Sequence, residues 1–154
     1  MINFKIGMIG CGKLGAPCGN VFMEAGHDVI GLDPNPHPDA KYPMVQSTAD
    51  MLKDRDIVFI AVPTPHEPEY GGEKPTTHLP SRGFDLDIVR RVFDDIHAAG
   101  KVLSQSDDWQ WPAVVLISTV LPGTCRNELE LQNYPFEVVY NPYLIAMGSV
   151  EWDM

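Results

Sequence analysis

Residues 4–15, Phe4-Lys5-Ile6-Gly7-Met8-Ile9-Gly10-Cys11-Gly12-Lys13-Leu14-Gly15, decide the fold. The first half, FKIGMI, is an apolar run of strand length, and the second half spells G-x-G-x-x-G. Glycine triplets arise by chance, so the reading rests on context: a strand before the loop, a helix after it and an acid closing the next strand. All three are present. Leu14–Ala25 carries Leu14, Val21, Phe22 and Ala25 in a helical pattern and halts at Gly26. Asp28–Asp33 (DVIGLD) then reads as a second strand, closed by Pro34-Asn35-Pro36.

Each glycine in this loop has its own task. Gly10 allows the tight turn, Gly12 bares the backbone to an approaching pyrophosphate, and Gly15 lets helix and strand pack closely. The helix start offers free N–H groups and a partial positive charge to a phosphate. Cys11, Lys13 and Leu14 complete the loop, with Lys13 either a phosphate contact or a solvated lysine. Asp33 stands 18 residues beyond Gly15 and is placed to accept hydrogen bonds from an adenosine ribose. A carboxylate there repels a 2′-phosphate, so the expected cofactor is NAD rather than NADP. The same Asp33 also suits a strand-end turn before Pro34.

Farther along, apolar runs and helical patterns keep alternating, as they do when parallel strands are joined by crossover helices. Ser47–Lys53 opens like a capping box, with Asp50 three residues after Ser47. Asp56–Val62 (DIVFIAV) and Ala113–Thr119 (AVVLIST) read as strands buried on both faces. Asp85–Ala99 sets Leu86, Val89, Phe93 and Ile96 at helical spacing, Gly123–Leu131 suggests a short helix, and Phe136–Tyr140 a last strand. Residues 63–83 form a polar stretch holding five of the fourteen prolines. A loop that long in a compact domain is usually functional or mobile. The expected fold is α/β: one Rossmann-like, doubly wound domain over 1–154, with five strands in a mainly parallel sheet.

Composition narrows the partners. A chain of 154 residues with 11 Lys+Arg against 21 Asp+Glu carries a formal charge of −10, which disfavours nucleic acid and anionic membrane surfaces. It leaves open a small phosphate ligand held by backbone N–H groups. Cys11, Cys18 and Cys125 are an odd count without C-x-x-C spacing, so neither a disulfide framework nor a zinc site is expected. His37, His66 and His78 lie in polar loops without ligand spacing, so no metal is expected, and His27 reads as a turn residue. Trp109 and Trp111 read as packing residues. The N-terminal apolar run is too short to span a membrane, and a reducing, cytoplasmic setting is the expectation.

Three further stretches carry a resemblance: Val62-Pro63-Thr64-Pro65 after the third strand, Ser118-Thr119-Val120-Leu121-Pro122-Gly123-Thr124 after the fourth, and Asn141-Pro142 after the last. With the glycine loop, in this order, they resemble the NAD-binding domain of the UDP-glucose/GDP-mannose dehydrogenase family, from residue 4 to about 150. Such enzymes oxidise the C6 alcohol of a nucleotide sugar to a carboxylate and reduce two NAD. The resemblance implies that Val62, Pro63, Thr64, Ser118 and Thr119 lie near the cofactor and that Thr119 helps position a catalytic water. The rival reading of Ser118 and Thr119 is backbone capping before the Pro-Gly turn.

The resemblance also has gaps. The family follows Asn-Pro with a Glu and a second Glu four residues later; here these positions hold Tyr143 and Met147. Tyr143, Leu144 and Met147 are the implied substrate-side residues, but neither Tyr nor Met serves as a carboxylate base near neutral pH. Family members continue through a central helix, which makes a homodimer, into a second domain. That domain supplies the nucleophilic cysteine and most of the UDP-sugar pocket. No cysteine of this chain stands in a matching context, so the chain alone is expected to be catalytically incomplete. Two alternatives remain: a stand-alone NAD-binding or regulatory module, and a domain of a 3-hydroxyacid or 6-phosphogluconate-type dehydrogenase.

Overall fold

The computed structural model describes residues 2–72 and 74–143. The chain runs β1 (Lys5–Ile9), α1 (Gly15–Glu24), β2 (Asp28–Leu32), α2 (Thr48–Leu52), β3 (Ile57–Ile60), α3 (Asp87–Leu103), β4 (Ala113–Leu116), α4 (Thr124–Asn127) and β5 (Val138–Tyr140). The five strands form one sheet in the order β2-β1-β3-β4-β5, and every pair is parallel. Outside β2 a single parallel bridge joins Gly31 to Met44, secured by Gly31 N–H to Pro43 O at 2.8 Å and Val45 N–H to Gly31 O at 2.8 Å. That bridge occupies the outermost position of a Rossmann sheet, reduced to one residue.

Alternation along the strands divides the core between the two faces of the sheet. Ile6 and Met8 of β1, Phe59 of β3 and Ile117 beyond β4 pack with Cys18 of α1 and with Tyr42. Val58, Ile60, Val114 and Leu116 point the other way, onto Met51 and Leu52 of α2 and Val89, Phe93 and Ile96 of α3. A helix layer on each face is what lets all-parallel strands be apolar on both sides. Phe93 and Ile96 are fully buried, and burying a side chain of that size contributes about 1.5–3 kcal/mol.

Register positions the site. Ile9 pairs with Leu32 and with Ile60, and Ile60 pairs with Leu116, so four strands end level. Residues 10, 33, 61 and 117 therefore leave the sheet along one edge. The chain passes from β2 across β1 to β3, which makes the β1–β3 boundary the switch point where a crevice opens.

The departures from the sequence reading have local causes. The third helix runs to Leu103 rather than stopping at Ala99, because Gly100 sits beneath the Trp111 ring. A methyl at Gly100 would lie 2.0 Å from that ring, so tertiary packing overrides the glycine's usual role as a stop. The expected helix over Gly123–Leu131 shrinks to the four residues of α4. Glu130 turns left-handed (φ 48°) before a 3-10 turn over Leu131–Asn133. Ser47 caps α2 as expected, accepting from Asp50 N–H at 3.1 Å. Trp109 and Trp111 pack edge-on at 5.0 Å, and Trp109 donates its indole N–H to Leu52 O at 3.1 Å. The proline-rich loop has a closed neck, Asp85 N–H bonding Pro65 O at 2.8 Å, and an internal tie from Tyr70 hydroxyl to Pro80 O at 2.7 Å.

Candidate functional site: a cleft at the carboxyl ends of β1 and β3

A cleft of about 670 Å³ opens at the level strand ends. Gly10, Gly12, Lys13, Leu14, Asp33, Val62, Pro63, Thr64, Ser118 and Thr119 line it, so ten of the twelve cofactor-side positions expected from sequence meet in one place. The remaining two, Cys11 and Gly15, lie beneath its floor, both buried. A volume in this range suits a small-molecule ligand.

The glycines divide as their chemistry requires. Gly10 has φ +89° and abuts the Ala61 carbonyl, so a Cβ there would sit 2.6 Å from that oxygen. Gly15 is tighter still, since its Cβ would fall 1.8 Å from Gly10 O. Gly12 meets nothing within 4 Å and faces open space. Among the described residues, the N–H groups of Gly12, Lys13, Leu14 and Gly15 make no hydrogen bond within the protein, and Leu14 caps α1 without a side-chain bond. The helix start is thus left bare toward the cleft, where unsatisfied N–H groups and the helix dipole favour an anion.

Two side chains seat the loop from below. Tyr42 donates its buried hydroxyl to Gly15 O at 3.0 Å, and its ring lies against Gly19, where a Cβ would fall 2.3 Å away. Burial above all pushes that hydroxyl's pKa up. Asn20 holds the 39–41 segment with Nδ2 to Asp39 O and Lys41 N–H to Oδ1, both at 2.9 Å. Neither residue belongs to a motif. Their only trace in the sequence is a polar residue inside the apolar helix pattern and an aromatic residue in a loop.

Asp33 serves the protein as well as the cleft. Its Oδ2 accepts from Cys11 N–H and its Oδ1 from Asn35 N–H, each at 2.7 Å. The second bond is the strand-end turn that the sequence left open as a rival. A carboxylate has about four lone-pair positions, so two remain for ribose hydroxyls. The Cys11 thiol points into the core, 3.4 Å from Met8 O. Burial raises the Cys11, Cys18 and Cys125 thiols, Cys18 to about 12, which leaves them protonated and unreactive near neutral pH.

The hydroxyls at the far end are mostly committed. Thr64 Oγ1 donates to Thr119 O at 2.8 Å and Ser118 Oγ to Val62 O at 2.7 Å, tying the exits of β3 and β4 together. Thr119 itself is exposed and lines the cleft, and its hydroxyl has no partner among the described residues. Tyr143 is half-buried against the face that carries Cys18. It does not line the cleft, and burial pushes its hydroxyl to about 12. Leu144 and Met147 lie outside the described residues.

The sequence reading missed one wall. Ile88, Val92 and Asp95 of α3 line the cleft together with Leu32, Pro34 and Thr48. They fall off the Val89-Phe93-Ile96 core stripe, and Ile88 is 40% exposed. An apolar residue beside the buried face of an amphipathic helix was the available signal. Among the described residues no group of His, Cys, Asp or Glu could hold a metal, and no helix is long and apolar enough to cross a membrane.

Comparisons with known proteins bear on the family and the fold. A family model described as "UDP-glucose/GDP-mannose dehydrogenase family, NAD binding domain" matches residues 39–154, which hold the Val62–Thr64 and Ser118–Thr119 stretches. The glycine loop precedes that match. Among solved structures, a GDP-mannose dehydrogenase from Pseudomonas aeruginosa is 23% identical with a TM-score of 0.72, over 97% of this chain and 38% of that one. A UDP-glucose dehydrogenase from Pyrobaculum islandicum is 22% identical with a TM-score of 0.73, over 99% and 38%. A Mycobacterium tuberculosis 3-hydroxyisobutyrate dehydrogenase follows at 20% identity and 0.68, over 96% and 43%. At such identities the likeness shows the Rossmann-like fold, and the chain spans 38% of the length of the first two. No curated protein sequence matches.

Proposed function

We infer the function from a fixed premise: this chain belongs to the UDP-glucose/GDP-mannose dehydrogenase family, as an NAD-binding domain. The residues present fit the cofactor, since bare N–H groups at the start of α1 face a cleft with a carboxylate at one end and an open hydroxyl at the other. We propose that Gly12, Lys13, Leu14 and Gly15 hold the pyrophosphate and that Asp33 accepts from the adenosine ribose. In this reading Leu32, Pro34, Ile88 and Val92 cover the adenine, and Val62, Pro63, Thr64 and Thr119 flank the nicotinamide. When bound, NAD supplies the two-electron oxidant.

The observation that carries this reading is Gly12, where the loop turns backbone rather than side chain toward the cleft. The substrate we propose is UDP-glucose or a related nucleotide sugar, oxidised at C6 to the uronate with two NAD, as in polysaccharide precursor synthesis. Thr119 would orient the attacking water, since a hydroxyl can donate and accept at once. We propose further that the full-length enzyme is a cytoplasmic homodimer and that this chain alone does not turn over. No thiol of the chain is both open and activated, which supports that view.

Titration calorimetry should give NAD binding at least about tenfold tighter than NADP, and the pure chain with UDP-glucose should make no NADH. Equal affinity for the two cofactors, or steady NADH production, would sink the respective halves of this reading. One observation favours a second reading, a binding module without dehydrogenase activity: Tyr143 packs against an apolar face where the family has a glutamate.

A further inference from the structure

We propose that Asp33 is a positioning residue for the phosphate-binding loop, coupling the ribose end of the cleft to the pyrophosphate end. The inference deepens the NAD reading above and rests on it for its ligand arm. Three backbone groups at Gly10 and Cys11 are fastened to the end of β2 and the segment after it. Gly10 N–H bonds Leu32 O at 3.0 Å, His37 N–H bonds Cys11 O at 2.8 Å, and Cys11 N–H bonds Asp33 Oδ2 at 2.7 Å. The last uses a carboxylate and is charge-assisted, the stronger class of hydrogen bond. It acts on the Gly10–Cys11 peptide, one residue ahead of the Gly12 N–H that opens the unbonded row. The other carboxylate oxygen is fixed by Asn35 N–H at 2.7 Å, so the group cannot swing away from the loop without breaking its own turn. A ribose hydroxyl drawing on Asp33 therefore acts on the same group that aims the phosphate donors.

The electrostatics make the idea decidable. Removing Asp33 takes a negative charge away from the diphosphate site, and that change alone tightens diphosphate binding. If Asp33 serves only the ribose, Asp33→Ala weakens ADP but leaves 2′,3′-dideoxy-ADP unaffected or bound more tightly. If Asp33 aims the loop, the loss persists with the ligand that has no ribose hydroxyls.

Calorimetry on the full chain should find Asp33→Ala weakening ADP by more than about tenfold and 2′,3′-dideoxy-ADP by at least about fivefold, from a lost bond of the charge-assisted class. Asp33→Asn keeps one acceptor and should fall between. A penalty under twofold with the dideoxy ligand overturns the proposal. A second arm needs no ligand. Amide order parameters of residues 11–15 should fall in Asp33→Ala while those of α3 and β4 stay constant. Unchanged values at 11–15 overturn the proposal, as does a fall across the whole chain. Failure of the unsubstituted chain to bind either nucleotide defeats the NAD reading instead, and the order parameters then decide the loop's brace.

Discussion

Gly12 and Gly15 stand three residues apart in one motif, yet the structure assigns them opposite burdens, and alanine at each separates the two. At Gly15 the added Cβ would lie 1.8 Å from the Gly10 carbonyl oxygen, where contact distances normally exceed 3.0 Å. Relief requires more than an ångström of movement between two backbone segments, one closing β1 and one opening α1. Neither yields easily, since Gly10 abuts the Ala61 carbonyl and the Gly15 carbonyl is held by Tyr42. Overpacking against backbone of this kind costs about 3–5 kcal/mol. At roughly 2–4 °C per kcal/mol for this chain length, Gly15→Ala should lower Tm by roughly 6–20 °C.

Gly12 has nothing within 4 Å and no positive φ, so alanine fits the unliganded fold. The reduced freedom of the unfolded chain makes Gly12→Ala neutral or stabilising by up to about 1 kcal/mol. Its methyl, however, projects where a pyrophosphate must approach. Loss of one charge-assisted hydrogen bond, about 1.5–3 kcal/mol, translates to roughly 10- to 150-fold weaker NAD binding. Urea unfolding and calorimetry on the two variants make the test. Gly12→Ala destabilised as severely as Gly15→Ala, or binding NAD as tightly as the parent chain, would refute the division of labour.

Two further outcomes follow from the packing. Gly100→Ala gains helix propensity, about 1 kcal/mol, but drives a methyl to 2.0 Å from a Trp111 ring boxed in by Trp109 and Phe136. A net loss of about 2 kcal/mol is expected in urea, with a shift in tryptophan emission, and a more stable variant would contradict the packing. Stability should also fall in alkali. The Cys18 thiol is raised by burial from 9.0 to about 12, so between those values the unfolded chain has lost a proton that the folded chain keeps. Stability is then flat below about pH 9 and declines above it, by up to about 1.4 kcal/mol per pH unit for each such group. Cys18→Ala should flatten the decline measured between pH 9 and 11, and an unaltered slope would argue against a buried thiol.

The legible part of this protein was the part written in local chemistry. Strand length, the glycine spacing and Asp33 foretold the sheet edge because each depends on neighbours a few residues away. Ser47 foretold its cap for the same reason. What escaped depended on distant partners. Tyr42 reaches Gly15 across 27 residues, and Trp111 passes over Gly100 and so carries a helix through a glycine that reads as a stop. The α3 wall of the cleft was hidden because Ile88 and Val92 look like spill-over from the core stripe until β3 and the register fix which side of α3 meets the loop.

The same distinction bears on the hydroxyl-rich exits of β3 and β4. In sequence, Thr64, Ser118 and Thr119 are all candidates for lying near the cofactor, with backbone capping as the rival for Ser118 and Thr119. The structure divides them. Thr64 and Ser118 spend their protons on Thr119 O and Val62 O, and those two bonds extend the cross-link between strand exits that Ile117 N–H and Ser118 N–H begin at Ile60 O. The price of that cross-link is two donors withdrawn from the cleft. Among the described residues the Thr119 hydroxyl has no partner, while its carbonyl is held by Thr64. Preorganised sites are built this way, with the reacting group fixed by partners that do not themselves touch the ligand. On the proposed reading, Thr119→Ala in the full-length enzyme should lower kcat with little change in NAD affinity measured by calorimetry, and an unaltered kcat would overturn the water-orienting role proposed for Thr119.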